Sequence, residues 1–225
     1  MALGRADLQV LSIGCSCINR FQFNFFIDRN PDLASVFPRG LFDWNIASLE
    51  ATLTVLRHAV TGTLTRTLED DDQFHVAWDA LILHSDLPGF SFFHEDKPHD
   101  LLADPDRRSA FVGKLRHLAQ PFEAAQDVRT HLVWSNLQPN LPDTVKNVIP
   151  WGDFKLSENR YREAKALGSR LFGEDTGFSF LSTPQDMEAS LNTQPDVHMI
   201  DLPRGDAYEG DPFLYNDILT DVIST

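Results

Sequence analysis

With 225 residues the chain is long enough to bury a core of its own, and its formal net charge of −14 disfavours non-specific attraction to nucleic acid or anionic membranes. Hydrophobic residues make up 42% of the chain and charged residues 23%, which is ordinary for a globular protein. No apolar stretch approaches the about 18 residues of a membrane span, and the N-terminus shows no secretory h-region, so we expect a cytoplasmic protein without nucleic-acid or membrane partners.

The predicted elements alternate between strand and helix along the chain. Residues 8–13 form a short apolar run closed by Gly14, which is typical of a buried strand. Similar apolar runs follow at 131–137, 178–182 and 197–202. The spacing of apolar residues predicts helices at 17–30, 48–60, 107–122, 157–172, 184–191 and 212–224. Segment 73–105 shows no regular period.

Strands separated by helices predict a mostly parallel sheet with helices on both faces. We therefore expect a single three-layer α/β domain over residues 1–225, with Ser48 and Ser157 as helix N-caps and Gly173 after the later helix. In such sheets the functional site lies at the carboxyl ends of the strands. The loop after the first predicted strand is thus the first place to look for chemistry.

Both cysteines of the chain lie in that loop, as Cys15 and Cys17. In an extended segment their side chains run parallel, so a disulfide between them would be strained, and one Cys-x-Cys pair lacks the ligands of a structural zinc site. We expect no metal and no cofactor. A thiol at the start of a helix has its thiolate stabilised and is a nucleophile, whereas a packed cysteine is only a small hydrophobe. The sequence leaves both interpretations open.

A thiol nucleophile needs a general base, and histidine is the usual one. His94 and His99 are the two main candidates, because each has a carboxylate close by in sequence, Asp96 and Asp100. The other histidines are weaker candidates.

Residues 37–50, FPRGLFDWNIASLE, combine turn-forming and aromatic residues. Asp43 lies between Phe42 and Trp44 just before a predicted helix, so its carboxylate is expected either to cap that helix or to orient the base. We expect Asp43 and Trp44 to line the same cleft as Cys17.

A polar cluster follows the second predicted strand and contains Ser135, Asn136 and Asn140. These residues are common in turns, which is the simpler interpretation. At the carboxyl edge of the sheet, Asn136 is also a candidate donor to an oxyanion.

The order of these motifs resembles a bacterial family of unknown function described as papain-like cysteine peptidases. The resemblance spans roughly residues 8 to 136 and is carried by SIGCSC, by FDW, by a His-Asp pair and by an Arg-Arg pair that opens a helix. It implies that the nucleophile is Cys17 rather than Cys15.

The same resemblance implies the remaining site residues. The FDW motif contributes Asp43 and Trp44, and the His-Asp pair falls on His99 and Asp100. His94, within the segment HED, is a rival for the role of base.

A second, fainter resemblance is to the GSCFA group of the SGNH hydrolases, which are three-layer α/β esterases. The pattern G-x-S-C after the first strand implies that Ser16 is the nucleophile and Asn136 the oxyanion donor. The tail supplies Asp217 and Asp221 but lacks the histidine that such esterases use there.

The favoured interpretation is a thiol-dependent hydrolase or acyltransferase that acts on a small-molecule, sugar or peptide substrate. One alternative is an esterase that uses Ser16. The other alternative is a non-catalytic domain that binds a sugar or peptide in the same cleft, with Arg39 and Trp44 as contacts.

Overall fold

The structure is a computed structural model and describes residues 8–78, 80–123, 128–137, 151–200 and 210–225. In this part of the chain the strands are β1 (Leu8–Ser12), β2 (Ile46–Ala47), β3 (Phe74–Ala77), β4 (Leu81–His84), β5 (Phe90–Phe92), β6 (Arg129–Ser135), β7 (Gly177–Ser182) and β8 (Val197–Met199). The α-helices are α1 (Ile18–Arg29), α2 (Leu49–Val60), α3 (Leu64–Glu69), α4 (Pro98–Ala103), α5 (Pro105–Ala119), α6 (Glu158–Phe172) and α7 (Asn216–Ser224). The fold is mixed α/β, with one parallel and one antiparallel sheet.

The parallel sheet contains the four strands that the apolar runs predicted. Its order is β1-β6-β7-β8, and every neighbouring pair is parallel. The prediction that these strands share one mostly parallel sheet is therefore confirmed. Four of the eight strand ends differ by one or two residues and three agree. The last predicted strand ends at Met199, and its residues 201–202 lie outside the described residues.

Helices cover both faces of the parallel sheet. On one face, α1 and α7 pack against Val10, Val133 and Leu181. On the other face, α2 and α6 pack against apolar side chains that include Leu132 and Phe178. Helix α6 lies so close to this face that a Cβ on Gly168 would be 2.8 Å from side-chain carbons of Leu132 and Phe178. The alternation of side chains along each strand thus gives the sheet two apolar faces.

The antiparallel sheet was not predicted from the sequence. Segment 73–105, which shows no regular period, forms strands β3, β4 and β5 and helix α4, and the sheet order is β2-β5-β4-β3. Its strands contain only two to four residues each, which is too short for a period of two to be visible. Phe90 and Phe92 pack in an aromatic cluster with Phe42, Phe74 and Phe111, which joins this sheet to α5.

Local chemistry explains where the helices begin. The predicted N-caps are confirmed, since Ser48 accepts a hydrogen bond from the Ala51 N–H and Ser157 caps α6. Helix α5 begins earlier than predicted, because the Asp104 carboxylate caps it. The predicted helix at 184–191 is wrong: two short 3₁₀ segments, Pro184–Asp186 and Ala189–Thr193, stand there instead.

Candidate functional site

The loop after β1 joins the two sheets. The Cys15 N–H donates to the carbonyl of Ser135 at the end of β6 (2.8 Å), and the Cys15 carbonyl accepts from the Ala47 N–H of β2 (2.7 Å). Gly14 turns the chain here with φ +114°, and a Cβ at this position would lie 2.9 Å from Thr52 Oγ1. A side chain at residue 14 would therefore be strained and crowded.

A buried polar network holds this loop against helix α1. The Asn19 side-chain amide donates to the carbonyls of Gly14 (2.5 Å) and Val133 (3.2 Å) and to Ser12 Oγ (3.1 Å). Its Oδ1 accepts from the hydroxyls of Ser135 (2.7 Å) and Tyr215 (2.8 Å). Burial raises the pKa of Tyr215, so its hydroxyl stays protonated as a donor. Asn19 therefore ties β1, β6, the thiol loop and the C-terminal segment together.

The three loop residues with nucleophilic side chains are all buried. Cys15 packs in an apolar cluster with Ile46 and Phe154. Ser16 is fully buried, and its Oγ accepts from the Ile18 N–H (3.4 Å). Cys17 is the N-cap residue of α1 and is 4% exposed. The thiol of Cys17 thus stands where the N–H groups of the first helical turn have no partners within the helix.

Asp43 is buried against α1 and does not cap α2, whose N-cap is Ser48. Its Oδ2 accepts from the Gly40 N–H (3.0 Å) and lies 3.7 Å from Arg20 Nη1. Arg20 belongs to the first turn of α1, three residues after Cys17, and is itself 6% exposed. The structure therefore places Asp43 beside the helix that Cys17 opens, in a buried ion pair.

Burial dominates the electrostatics of this pair. Desolvation raises the pKa of Asp43 from 3.8 to about 6, although Arg20, the Gly40 N–H and Arg39 each lower it. Desolvation also lowers the pKa of Arg20, against the effect of Asp43. The attraction between the two groups is thus not enough to offset the loss of water around the carboxylate.

The raised pKa of Asp43 predicts how stability depends on pH. The folded protein keeps a proton that the unfolded chain releases, so this contribution is complete below about pH 3.8 and is lost as pH rises through about 6. Relative to Asp43→Asn, the wild type should lose about 3 kcal/mol of unfolding free energy between about pH 3.5 and pH 7.5. Urea unfolding of both proteins across this range measures the difference. If the unfolding free energies of the two proteins changed with pH in the same way, the raised pKa of Asp43 would be contradicted.

Arg39, Trp44 and His94 form a surface cluster next to α1. The Trp44 ring lies edge-on to Phe21 of α1 (5.5 Å between centroids) and to His94 (6.1 Å). The guanidinium carbon of Arg39 lies 5.7 Å from the Trp44 ring centre. Phe21 is one turn after Cys17, and its N–H donates to the Cys17 carbonyl (3.0 Å). Three of the predicted site residues are thus brought together near the first turn of α1.

His94 follows β5 and is the next residue after Phe93, which packs against the cluster that contains Cys15 and Ile46. Its ring contacts Phe93 and Trp44, and this partial desolvation lowers the pKa of His94. A histidine in this setting is neutral near pH 7 and can accept a proton.

His99 and Asp100 lie elsewhere in the fold. Both are exposed on α4, which packs against α5 and β3. Cys17, in contrast, opens α1 at the carboxyl end of β1. The structure therefore associates His94, rather than His99, with the first turn of α1.

Asn136 follows β6, and its donor capacity is already used. Its Nδ2 donates to the carbonyls of Phe154 (3.0 Å) and Asp186 (3.1 Å), and since both partners are carbonyl oxygens the orientation of the amide is fixed. Its Oδ1 is buried and has no hydrogen-bond partner among the described residues. As the structure places it, Asn136 offers an acceptor rather than the oxyanion donor expected from the sequence.

Two further properties concern only the residues that the structure describes. No group of three or more His, Cys, Asp or Glu side chains is arranged there to hold a metal ion. Within the same residues, no helix combines the length and the apolar character needed to cross a bilayer.

Sequence reasoning missed Arg20, Asn19 and Tyr215. Arg20 and Asn19 lie on the side of α1 that faces the protein, so the usual rule that polar residues mark the exposed face pointed the wrong way. One signal was present in the sequence. A helix with apolar residues on most of its sides is typically buried, and α1 contains four phenylalanines in twelve residues, INRFQFNFFIDR.

Comparisons with known proteins find no match for this chain among protein-family models, curated proteins or solved structures.

Proposed function

We propose that this chain is a thiol-dependent hydrolase or acyltransferase, with Cys17 as the nucleophile and His94 as the general base. The observation that carries the proposal is the series of ring contacts from His94 through Trp44 to Phe21, one turn after Cys17. Such chemistry needs a nucleophile and a base that can approach each other; Cys17 stands at the carboxyl end of the parallel strand β1, and His94 follows β5 of the neighbouring sheet.

Each group has a defined part in the reaction. His94 removes the proton from the Cys17 thiol, and the sulfur attacks the acyl carbon to form a tetrahedral intermediate. N–H groups of the first turn of α1 stabilise the oxyanion. The leaving group departs with the proton from His94 and leaves a thioester on Cys17. Water, or a second nucleophile in a transferase, then attacks the thioester and restores the thiol.

The remaining predicted site residues take supporting roles in this proposal. Asp43 pairs with Arg20 and fixes the loop before Trp44, so it is a positioning residue. The Oδ1 of Asn136, which has no hydrogen-bond partner in the described part of the chain, accepts a hydrogen bond from a donor group of the substrate. Ser16 is a weaker nucleophile candidate, because its hydroxyl is fully buried and already engaged by the Ile18 N–H.

The proposal agrees with the resemblance to the bacterial family described as papain-like peptidases, in which Cys17, Asp43 and Trp44 fall on the family motifs. We further propose that the whole chain forms a single three-layer domain and acts in the cytoplasm on a small-molecule, sugar or peptide substrate. The apolar clusters on both faces of the parallel sheet support the layered arrangement.

Thiol reactivity tests the proposal without a known substrate. Cys15→Ala leaves Cys17 as the only thiol, and its alkylation by iodoacetamide at about pH 7 should be at least about tenfold faster in the folded protein than in the urea-unfolded chain. His94→Gln should lower the folded-state rate by about tenfold or more, because the base is lost. Mass spectrometry of the alkylated peptide gives the rates.

His99→Gln is the matched control, since this histidine is exposed on α4. In this variant, the rate at which iodoacetamide alkylates Cys17 should equal the rate in the parent protein. Alkylation of Cys17 that occurs only after unfolding would refute the catalytic proposal. It would leave the non-catalytic binding domain, with Arg39 and Trp44 as contacts, as the better reading.

A further inference from the structure

We infer that the substrate of this site carries an anionic group, a carboxylate or a phosphate, which Arg39 binds near the first turn of α1. The inference rests on the proposed function, because it names the substrate class of the same site. It follows from a local excess of positive charge in a chain whose formal net charge is −14.

Arg39 is exposed but held in place. Its guanidinium carbon lies 5.7 Å from the ring centre of Trp44, and that ring is fixed in turn by Phe21 and His94. Within the described part of the chain, Arg39 forms no ion pair with a carboxylate. A guanidinium held over an aromatic ring keeps its in-plane N–H donors for a planar or tetrahedral anion.

A second guanidinium in the same region also lacks a full set of partners. Arg20 is buried, and its Nη1 donates to the carbonyls of Phe37 (3.0 Å) and Pro38 (3.4 Å), directly before Arg39. Its Nε is buried and has no hydrogen-bond partner among the described residues. This buried donor is a second observation, independent of Arg39, of unused donor capacity in the same region.

The charges around these two arginines do not balance. Asp43 is the carboxylate paired with Arg20, and it is buried. Arg39 acts on both groups, since its charge lowers the pKa of Arg20 and that of Asp43. The first turn of α1 contains no acidic residue, and a helix N-terminus itself favours negative charge. An anion from the substrate would supply the missing negative charge.

Two alkylating probes test this inference. Iodoacetate and iodoacetamide react at the same carbon and release iodide as the sulfur–carbon bond forms, but only iodoacetate is anionic. In the Cys15→Ala protein, we compare the rates at which iodoacetate and iodoacetamide alkylate Cys17. The ratio of the iodoacetate rate to the iodoacetamide rate should be about fivefold higher in the folded protein than in the urea-unfolded chain, because the partly exposed charge of Arg39 attracts only the anionic probe. Arg39→Gln should return this ratio to the unfolded value, and because both rates are measured on the same protein, any change in the intrinsic reactivity of the thiol cancels from the ratio.

Arg29→Gln is a close control, because Arg29 is also an exposed arginine over an aromatic ring, 4.4 Å from the centre of Phe213. It lies at the opposite end of α1, and its ratio should equal that of the parent. A folded-state ratio no higher than the unfolded one, or a ratio that Arg39→Gln leaves unchanged, would overturn the inference. A folded protein that does not react with iodoacetamide would instead overturn the proposed function.

Protection experiments identify the kind of anion. Inorganic phosphate and acetate are each added while Cys17 reacts with iodoacetamide. Slower alkylation with phosphate alone supports a phosphate group, and slower alkylation with acetate supports a carboxylate. Equal rates with and without both anions would count against an anion site, and loss of protection in Arg39→Gln would locate the site at Arg39.

Discussion

Replacing Arg20 with methionine is expected to lower the free energy of unfolding by about 3–5 kcal/mol at about pH 7.5, because it leaves the buried carboxylate of Asp43 without its partner. Methionine keeps most of the volume, so the loss reports the missing charge and the lost hydrogen bonds to the carbonyls of Phe37 and Pro38 rather than a cavity. Urea unfolding at equilibrium measures it. The loss should be smaller at about pH 5, since removal of Arg20 raises the pKa of Asp43 further and the carboxyl is then protonated.

Two further variants make the Arg20 test specific. Arg29→Met removes an exposed arginine from the same helix and should cost at most about 1 kcal/mol. Combining Arg20→Met with Asp43→Asn should recover part of the loss at neutral pH, because no uncompensated charge then remains buried. A single-variant loss below about 1 kcal/mol at pH 7.5, or a loss that does not change with pH, would show that the pair is not a buried charge pair.

Replacing Asn19 with aspartate is expected to cost about 3–5 kcal/mol, because the amide donates to two backbone carbonyls that would then face a second acceptor. The change is nearly isosteric, so packing is preserved while the donors are lost. Ser135 and Tyr215 can still donate to the remaining carboxylate oxygen. The effect is therefore confined to the carbonyls of Gly14 and Val133 and to Ser12.

Asn30→Asp is the matched control for Asn19. Asn30 follows the same helix, is only partly buried, and donates to one carbonyl, that of Phe26 (3.0 Å). Its loss should be about 1 kcal/mol in the same denaturation experiment. Equal losses for the two variants would mean that the network around Asn19 contributes no more than a single surface hydrogen bond.

The parallel sheet could be predicted because each of its strands is a continuous apolar run between helices. The runs at 8–13 and 131–137 needed only their own residues to be recognised. The antiparallel sheet could not, because β2 contains two residues and pairs with β5, 45 residues away in the register Ile46 to Ser91. Strands of this length are defined by their partners rather than by their own pattern.

The candidate site was only partly predictable for a related reason. The local pattern predicted Cys17 at a helix start after a buried strand, whereas the prediction that Trp44 lines the same cleft rested on the expected course of the segment between them. The sequence could not distinguish His94 from His99 as the base. The position of His94 depends on strand β5 of the unpredicted sheet, which ends at Phe92, two residues before His94. Nor could the sequence show that Asp43 meets Arg20, which requires the fold of the intervening loop.

The two hydrogen bonds of Cys15 have a mechanical consequence. Its N–H is fixed by the last residue of β6 and its carbonyl by β2, so a single peptide segment belongs to the edges of both sheets. A small rotation of either sheet is transmitted to this segment and through it to the adjoining start of α1. The antiparallel sheet can therefore influence the position of the Cys17 thiol through this segment.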